Sequence, residues 1–590
     1  MRGALKGDFV MKTARTLRLV VQLRLKVLAV SSGTAALVSC LAPLAAGALL
    51  TACADENDPQ TWVKRLDDPA QRPAAIKRLS QFFDDATTKA NKNLDDPQVK
   101  QVVDAVVEPM SKVYTTVTLD EKTRMDLIKV LADMRDPRAA PAFAKAFNDY
   151  EPGKNDEDVK SAAQAVINMA KQGKLTDQGV IDALWNCFSK FQASKTKSIN
   201  LVTDLHDAVL AVKSPSYGPK AVEKLAAGVD PKIPEQARDQ IQFWQLTSIQ
   251  VLSDLKYTQG VHALVMVVVN PSKRDLRSTA NAALMRMPQE AEPVLIAALK
   301  GTDPEFTKYA AMYDDKSYIA VVADSLSWLS RPAGKAAILE ALAAADNDQN
   351  RTILAQSLVH FPPDATLVKA FLDAYAKIPA TAAIALLNGA NAHGQLTQAA
   401  SQFFQSNLTD WLVKEISTAK GEAADEMQLY ALDAAIKLMQ GNQLNAVREQ
   451  VNKEGTELEK SKYKLAAQVV QKCSADVNCY VKVLDDPIPS SPPTAAETAV
   501  KAAWMAGEYG VGNAGVRSAL VDKVEKVQQP GARLALVEAI DFLAPQGDPG
   551  AADKLDKIVE ADRSTGDKSL LMGDDGVVKV AQRLRARAMP

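Results

Sequence analysis

The chain is sparing with the residue types that most often carry chemistry. Its five cysteines are Cys40, Cys53, Cys187, Cys473 and Cys479, and its four histidines are His206, His262, His360 and His393. A thiolate can be acylated, oxidised or bound to metal, and an imidazole can move a proton near neutral pH. No two histidines stand at a paired spacing such as His-x-x-x-His, so no metal set is assigned. No catalytic residue, cofactor site or metal site is expected. Cys473 and Cys479 lie in Lys472-Cys-Ser-Ala-Asp-Val-Asn-Cys-Tyr480. Outside the cytosol they can form a disulfide, and closing so small a loop is worth about 2 kcal/mol on the chain-entropy relation. The spacing is not the Cys-x-x-Cys of a redox catalyst. Cys187, within Leu184-Trp-Asn-Cys-Phe188, reads as a buried core thiol. Gly510-Val-Gly512-Asn-Ala-Gly515 has the glycine pattern of a dinucleotide loop without the strand that should precede it, so it reads as a loop between helices. Asp346-Asn-Asp348-Gln-Asn350 opens like a calcium loop, but Arg351 and Ser357 occupy the positions that need Gly and Glu. A helix cap is the simpler reading.

Cys53 stands apart because of its surroundings. Lys12, Arg15, Arg18, Arg24 and Lys26 precede residues 27–52, which carry no charge, and Ala54-Asp-Glu-Asn-Asp-Pro-Gln60 then turns polar. A cationic region, an apolar region and small residues before a cut are the parts of an export signal. Leu50-Thr51-Ala52-Cys53 resembles the lipobox of bacterial lipoproteins. The resemblance implies diacylation of the Cys53 thiol, removal of residues 1–52 and acylation of the new amino terminus. The uncharged run is also long enough to span a bilayer. Ser31, Ser32, Gly33, Thr34, Pro43 and Gly47 make it a poor permanent span. Leu37-Val-Ser-Cys40 is a second lipobox-like tetrapeptide, but cleavage there would leave Leu41–Leu50 as a greasy tail. Met11 offers an alternative start. One acyl chain binds a membrane marginally, whereas the several chains of a lipoprotein hold it permanently. Ala54 after the Cys leans, by lipoprotein sorting, toward the outer rather than the inner membrane. The expected location is therefore the bacterial envelope, on the periplasmic side.

Residues 1–52 hold seven of the 70 basic residues and one of the 71 acidic ones, which leaves 63 against 70 and a net charge of about −7. A nucleic-acid partner would need a basic footprint, so that class is disfavoured. The basic end (Lys579, Arg583, Arg585, Arg587) reads as the polar face of a last helix.

Single cores stop growing near 250–300 residues, so a chain of this length calls for another plan. Asp-Pro recurs at 68–69, 96–97, 136–137, 230–231, 303–304, 486–487 and 548–549. Asp can cap and Pro pre-sets the first helical φ, so each pair reads as a helix start. Ala139, Phe143 and Phe147 form one stripe, and Val159, Ala163, Val166 and Ala170 its partner. Similar pairs are read at 217–229 with 234–256, 258–270 with 272–287, 331–345 with 350–360, 442–453 with 456–472, and 512–527 with 530–543. The β-branched run 260–269 has no strand to pair with and reads as a helix pressed between neighbours. The pitch of roughly 40 residues gives about a dozen pairs.

Leu131-Ala-Asp-Met-Arg-Asp136-Pro137-Arg138-Ala-Ala-Pro141-Ala-Phe143 resembles the first helix of a HEAT repeat, and Asp275-Leu-Arg277-Ser-Thr-Ala280-Asn-Ala-Ala283-Leu284 a second helix. Trp62-Val-Lys-Arg-Leu66-Asp-Asp-Pro69 resembles the opening of another repeat. The likeness is clear in five or six pairs and only compositional over 300–330, 380–440 and 550–590. The expected fold is all-α, an α-solenoid of stacked antiparallel pairs in a HEAT/armadillo-like superhelix. Residues 1–52 are the expected signal, 53–60 a tether, 61–484 the solenoid, 485–494 a Pro-rich linker and 495–590 further repeats. The resemblance implies a non-enzymatic scaffold that holds an envelope protein or peptide on its concave face, with no small-molecule substrate. Bilin lyases share such repeats, which makes a tetrapyrrole-handling enzyme the alternative.

Overall fold

The computed structural model describes residues 55–589 except 199, 228–234, 314–316, 359–360, 362–363, 376, 378–451, 454–455, 490–492 and 566–567. Cys40, Cys53, His360, His393 and residues 442–451 of the helix expected at 442–453 fall outside the described residues. The described part of Asn57–Pro590, which forms one unit, is helical, with no strand among the described residues.

Asp-Pro does open helices where an apolar stripe follows it. Asp96, Asp136 and Asp303 accept hydrogen bonds from the amides of Gln98, Arg138 and Glu305 at 2.8, 2.9 and 2.9 Å, each with Pro first in its helix. Asp548 takes the amide of Ala551 at 3.0 Å, and Asp58 before Pro59 does the same for Gln60 at 3.0 Å. The remaining described pairs do not start helices. Asp68 receives the amide of Ala70 in a turn, and the helix begins only at Arg72. Asp486-Pro487 follows a helix end. The aspartate side chain makes the same local bond in a turn and in a cap, so what comes next decides. After Pro487 come Pro489, Pro492 and Pro493, which cannot continue a helix.

The first helices are α1 (Pro59–Arg65), α2 (Arg72–Lys89), α3 (Pro97–Thr116), α4 (Glu121–Met134), α5 (Ala140–Asn148), α6 (Asp156–Lys171), α7 (Gln178–Lys190), α8 (Leu201–Val212) and α9 (Tyr217–Ala226). They continue through α10 (Glu235–Leu255), α11 (Val261–Val269), α12 (Arg277–Leu284), α13 (Pro288–Lys300), α14 (Pro304–Ala310), α15 (Ser317–Leu329), α16 (Pro332–Ala343), α17 (Asp348–Leu358) and α18 (Ala365–Tyr375). Beyond the undescribed stretch follow α19 (Glu457–Cys473), α20 (Val477–Val483), α21 (Glu497–Tyr509), α22 (Ala514–Val524), α23 (Pro530–Phe542), α24 (Pro549–Thr565) and α25 (Lys568–Ala588).

Their packing is that of a solenoid. Most helices touch the next one in sequence and the next but one, as in α1 on α3, α2 on α4, α3 on α5, α4 on α6, α5 on α7 and α6 on α8. Two layers result. One runs α1, α3, α5, α7, α9, α11, α13, α16, α18; the other runs α2, α4, α6, α8, α10, α12, α15, α17. The short α14 is an insertion that lies against α11. The same stepping links α19 to α21 across residues 485–494, α20 to α22, α21 to α23, α22 to α24 and α23 to α25. A hairpin cannot bury its stripe alone, so each depends on its neighbours.

The buried residues follow the expected stripes. Ala139, Phe143 and Phe147 are fully buried, as are Val159, Ala163 and Val166, while Met169 replaces Ala170 at the end of the partner stripe. Residues 261–269 are helical, and Val261, Leu264, Val265, Val267, Val268 and Val269 are all buried, because α11 packs on α9, α12, α13 and α15. Each such large apolar side chain contributes about 1.5–3 kcal/mol on leaving water.

Candidate functional site

A recess of about 400 Å³ opens where the ends of four helices meet, lined by Tyr114–Leu119, Arg124, Lys145, Asp149, Glu151, Lys154, Asn155 and Asp158. Its walls are built locally. Asp120 caps α4 through the amide of Thr123 at 3.0 Å. The α5–α6 loop turns at Gly153, whose φ of +82° and approach to the Lys195 carbonyl leave no room for a Cβ. Asp156, in the first turn of α6, ties that loop to the next hairpin by accepting from the Gly153 amide, the Thr196 hydroxyl and the Lys197 amide at 3.0, 2.8 and 2.6 Å.

Asp158 is the centre of the recess. It is 1% exposed, and its Oδ2 accepts from the Tyr114 hydroxyl at 2.7 Å and from Arg124 Nε at 2.6 Å. Its Oδ1 is buried and receives no hydrogen bond among the described residues. Burial, then the charge of Asp158, pushes the Tyr114 phenol well above its usual value, so it stays a donor. Burial works against the Arg124 charge, but the hydrogen bond and charge of Asp158 outweigh it and leave the guanidinium raised. At the rim Lys145 pairs with Asp149 at 2.6 Å and Lys154 pairs with Glu151. Every lining charge is therefore matched one for one.

A second polar centre closes the chain on itself. Helix α25 packs not only on α23 and α24 but also on α15, some 250 residues earlier. Gly547, with φ +79°, lets the loop before α24 touch the α25 backbone, where the Asp548 amide donates to the Leu584 carbonyl at 3.1 Å. Arg587 donates to Asp541 Oδ1 at 2.9 Å and to the Ser330 hydroxyl at 2.9 Å. Arg331 answers from the other side: its Nη1 donates to the carbonyls of Ala586 and Met589, each at 3.0 Å, and its Nε to Glu292 at 3.1 Å. Arg583 also pairs with Asp541, at 3.0 Å. Lys579 lies 4.5 Å from the Trp328 ring centroid, and the Trp328 indole donates to Asp324 at 3.2 Å. Asp324 is exposed yet has enough protein around it that desolvation raises its carboxyl, against the pull of Lys579.

The basic carboxy-terminal stretch is thus not simply a polar face. Side chains of Arg583 and Arg587 are 7% and 4% exposed and form the seam, whereas Lys579 and Arg585 keep more of the solvent. The residues singled out in the sequence do structural work where they are described. Cys473 and Cys479 are disulfide-bonded, with Cα atoms 5.3 Å apart. Cys187 is fully buried, and burial pushes its thiol up. His206 sits between Asp207 at 2.9 Å and Gln250 at 2.7 Å. His262 stacks on Phe306 and meets the capping Asp303 at 3.2 Å. Asn513, inside the glycine-rich stretch, caps α22 through the amides of Gly515 and Val516. Asn347, in the acidic stretch, receives the Asn350 amide at 2.8 Å as α17 begins.

Asp158 had a signal that the stripe at 159, 163 and 166 obscured. Asp158, Ala162, Ala165 and Met169 form the other flank of the same helix and are equally buried. A carboxylate on a buried flank needs partners, and a search for them leads to Tyr114 and Arg124.

The sequence matches no protein-family model, and no curated protein is similar enough to count as a relative. Solved structures of helical-repeat proteins do resemble it. One is the karyopherin Kap121p bound to the SUMO protease Ulp1p, at 12% identity and a TM-score of 0.40; the match covers 86% of this chain but spans only 55% of that one. A homology model of the AP-3 complex in an intermediate open conformation matches at 13% identity and a TM-score of 0.27, covering 90% of this chain and 92% of that one. Importin beta, crystallised in ammonium sulfate, matches at 9% identity and a TM-score of 0.25, covering 90% and 84%. The all-α solenoid assignment rests on the helix packing of this chain itself.

Proposed function

We propose that this chain is a non-enzymatic protein-interaction scaffold, tethered through acylated Cys53 to the bacterial envelope and facing the periplasm. The observation that carries the scaffold reading is the step-by-two stacking. It lays consecutive short helices side by side, so each layer presents one face that crosses many repeats. Such a face suits an extended peptide or another folded protein, held by a few anchor side chains. The tether rests on the sequence around Cys53. It adds effect without new contacts, because a partner captured at a membrane finds its targets at raised local concentration.

The test is affinity capture with the intact chain from detergent-solubilised envelope, followed by mass spectrometry of the bound material. The expected result is a defined protein recovered in constant ratio to the chain. A tetrapyrrole co-purifying in place of a protein would overturn the scaffold and favour the lyase-like alternative.

A further inference from the structure

We infer that the edge of the array carrying Lys92, Arg135, Lys174, Lys213 and Lys256 is a track for an extended acidic segment of the partner polypeptide, with a carboxylate at every third residue. This deepens the scaffold reading and rests on it.

The five cations share one structural position. Antiparallel stacking brings the carboxy-terminal ends of α2, α4, α6, α8 and α10 to the same edge. Neighbouring turns touch along it, with Arg138 reaching Asp104 at 2.7 Å and Gln178 reaching Ser216 at 3.4 Å. Each of these helices is closed by a left-handed residue, a place where Gly or Asn is usual. Arg135, Lys213 and Lys256 adopt that conformation themselves, at φ +52°, +48° and +47°. After α2 and α6, Lys92 and Lys174 directly follow the left-handed Asn91 and Gly173.

Compensation of the helix dipole does not account for the row. A cation in the last helical turn supplies it without backbone strain, and α2 and α6 already hold Lys89 and Lys171 there. The four lysines are exposed and Arg135 is half-buried, and none of the five forms an ion pair among the described residues. The acids nearby are engaged elsewhere. Asp95 pairs with Lys100 at 3.1 Å, Asp133 with Lys129 at 2.9 Å and Asp136 with Arg138 at 2.8 Å. Asp96 and Asp177 cap α3 and α7. One unmatched cation per step remains. The row stops after Lys256, because Arg286 pairs with Asp254 at 2.7 Å and Arg331 is held in the seam.

Spacing and charge decide the occupant. Neighbouring helices of a layer lie about 8–10 Å apart, so the cations recur at about that interval. A polyproline II segment turns once in three residues of about 3.1 Å each, which sets every third side chain on one face about 9 Å apart. Duplex nucleic acid carries a phosphate every 3.4 Å or so along each strand, far more densely than the row. Asp55, Glu56 and Asp58 stand before α1 on the same edge and oppose an anionic membrane lying flat against it. A segment that starts at Lys92 avoids them.

The test uses the intact, detergent-solubilised chain and rhodamine-labelled peptides followed by fluorescence anisotropy. One peptide holds five repeats of Glu-Ala-Pro, a second has the same composition with its glutamates together, and a third has Lys in place of Glu. The combined variant Lys174→Asn, Lys213→Asn, Lys256→Asn removes charge with a residue that tolerates left-handed backbone. Lys195→Asn, in the α7–α8 loop on the opposite edge, is the control, and circular dichroism checks folding. The repeating peptide is expected to bind saturably, about tenfold or more weakly to the combined variant and equally well to Lys195→Asn, with the clustered peptide weaker than the repeating one. Should the combined variant fail to fold, Lys213→Asn alone decides, with an expected loss of about threefold. Several results would overturn the inference: equal binding of the two acidic peptides, binding of the lysine peptide, no saturable binding, or unchanged binding to a folded variant. So would tighter binding of an oligothymidine of matched length, or displacement of the peptide by phosphatidylglycerol mixed into the micelles. Capture of the partner without peptide binding sinks the acidic track alone; failure of capture sinks the scaffold itself.

Discussion

Arg331→Met is the sharpest perturbation of the seam between α15 and α25. Arg331 is a helix cap supplied from a distant part of the chain. Its Nη1 satisfies the Ala586 and Met589 carbonyls at the end of α25, where no intrahelical donor remains. Its Nε pairs with Glu292, and the two side chains are only 13% and 10% exposed. Removing the cation leaves Glu292 with the Gly334 amide at 2.7 Å as its remaining described partner. Breaking a pair this buried costs about 3–5 kcal/mol. Helix α25 keeps its packing on α23 and α24, so the chain should stay folded and the loss should be local. Hydrogen exchange read by mass spectrometry is the assay. The last turn of α25 and residues 326–331 should exchange about a hundredfold faster, from the lower end of that range. Amides in α2–α5, with no contact to the seam, should not change. Wild-type protection of the last turn of α25 in a folded Arg331→Met variant would refute the capping role.

Three further outcomes follow from named groups. Lys273 is 6% exposed and donates to the Leu225 carbonyl, and burial pushes it down to about 8 from an ordinary 10.5. The folded chain thus holds this proton less tightly than the unfolded one. The resulting penalty is full below pH 8 and fades as pH rises to 10.5, a gain of up to about 3 kcal/mol. Urea titrations should show a steeper rise in the wild type than in Lys273→Met, because buried Lys501, pushed down to about 7, contributes a rise of its own to both; identical slopes would refute it. Phe143→Ala empties a fully buried site and should cost about 3–5 kcal/mol, with faster exchange in α3–α7 and none of it in α21–α25. Loss of protection throughout the chain would contradict nearest-neighbour stability. Cys53→Ser should abolish the acyl mass on the mature chain and release it from washed membranes, whereas an unchanged membrane fraction would point to a retained span at 27–52.

The repeats were legible wherever a helix buries one side only. The stripe 139, 143, 147 and the pairs at 217–255 and 331–358 fall where alternation between a buried stripe and a wet face is clean. Helix α15 gave no such pattern, and its surroundings explain why. It touches α11, α12, α13, α16, α17 and α25, so Tyr318, Val322, Ser325, Ser327 and Leu329 are all buried around its girth. A helix buried around most of its girth, with Asp324 alone exposed among its described residues, loses the period that reveals helices. Helix α25 misleads in the opposite way, because Arg583 and Arg587 look solvated until Asp541 and Ser330 are placed beside them by other hairpins. The recess follows the same rule: Tyr114, Arg124 and Asp158 stand on three helices, and only stacking brings them together.

Cross-linking mass spectrometry of the captured partner on the intact chain tests the scaffold most directly. The account predicts cross-links from one partner to several consecutive helix pairs of one layer. Cross-links confined to a single point, or no partner at all, would contradict it.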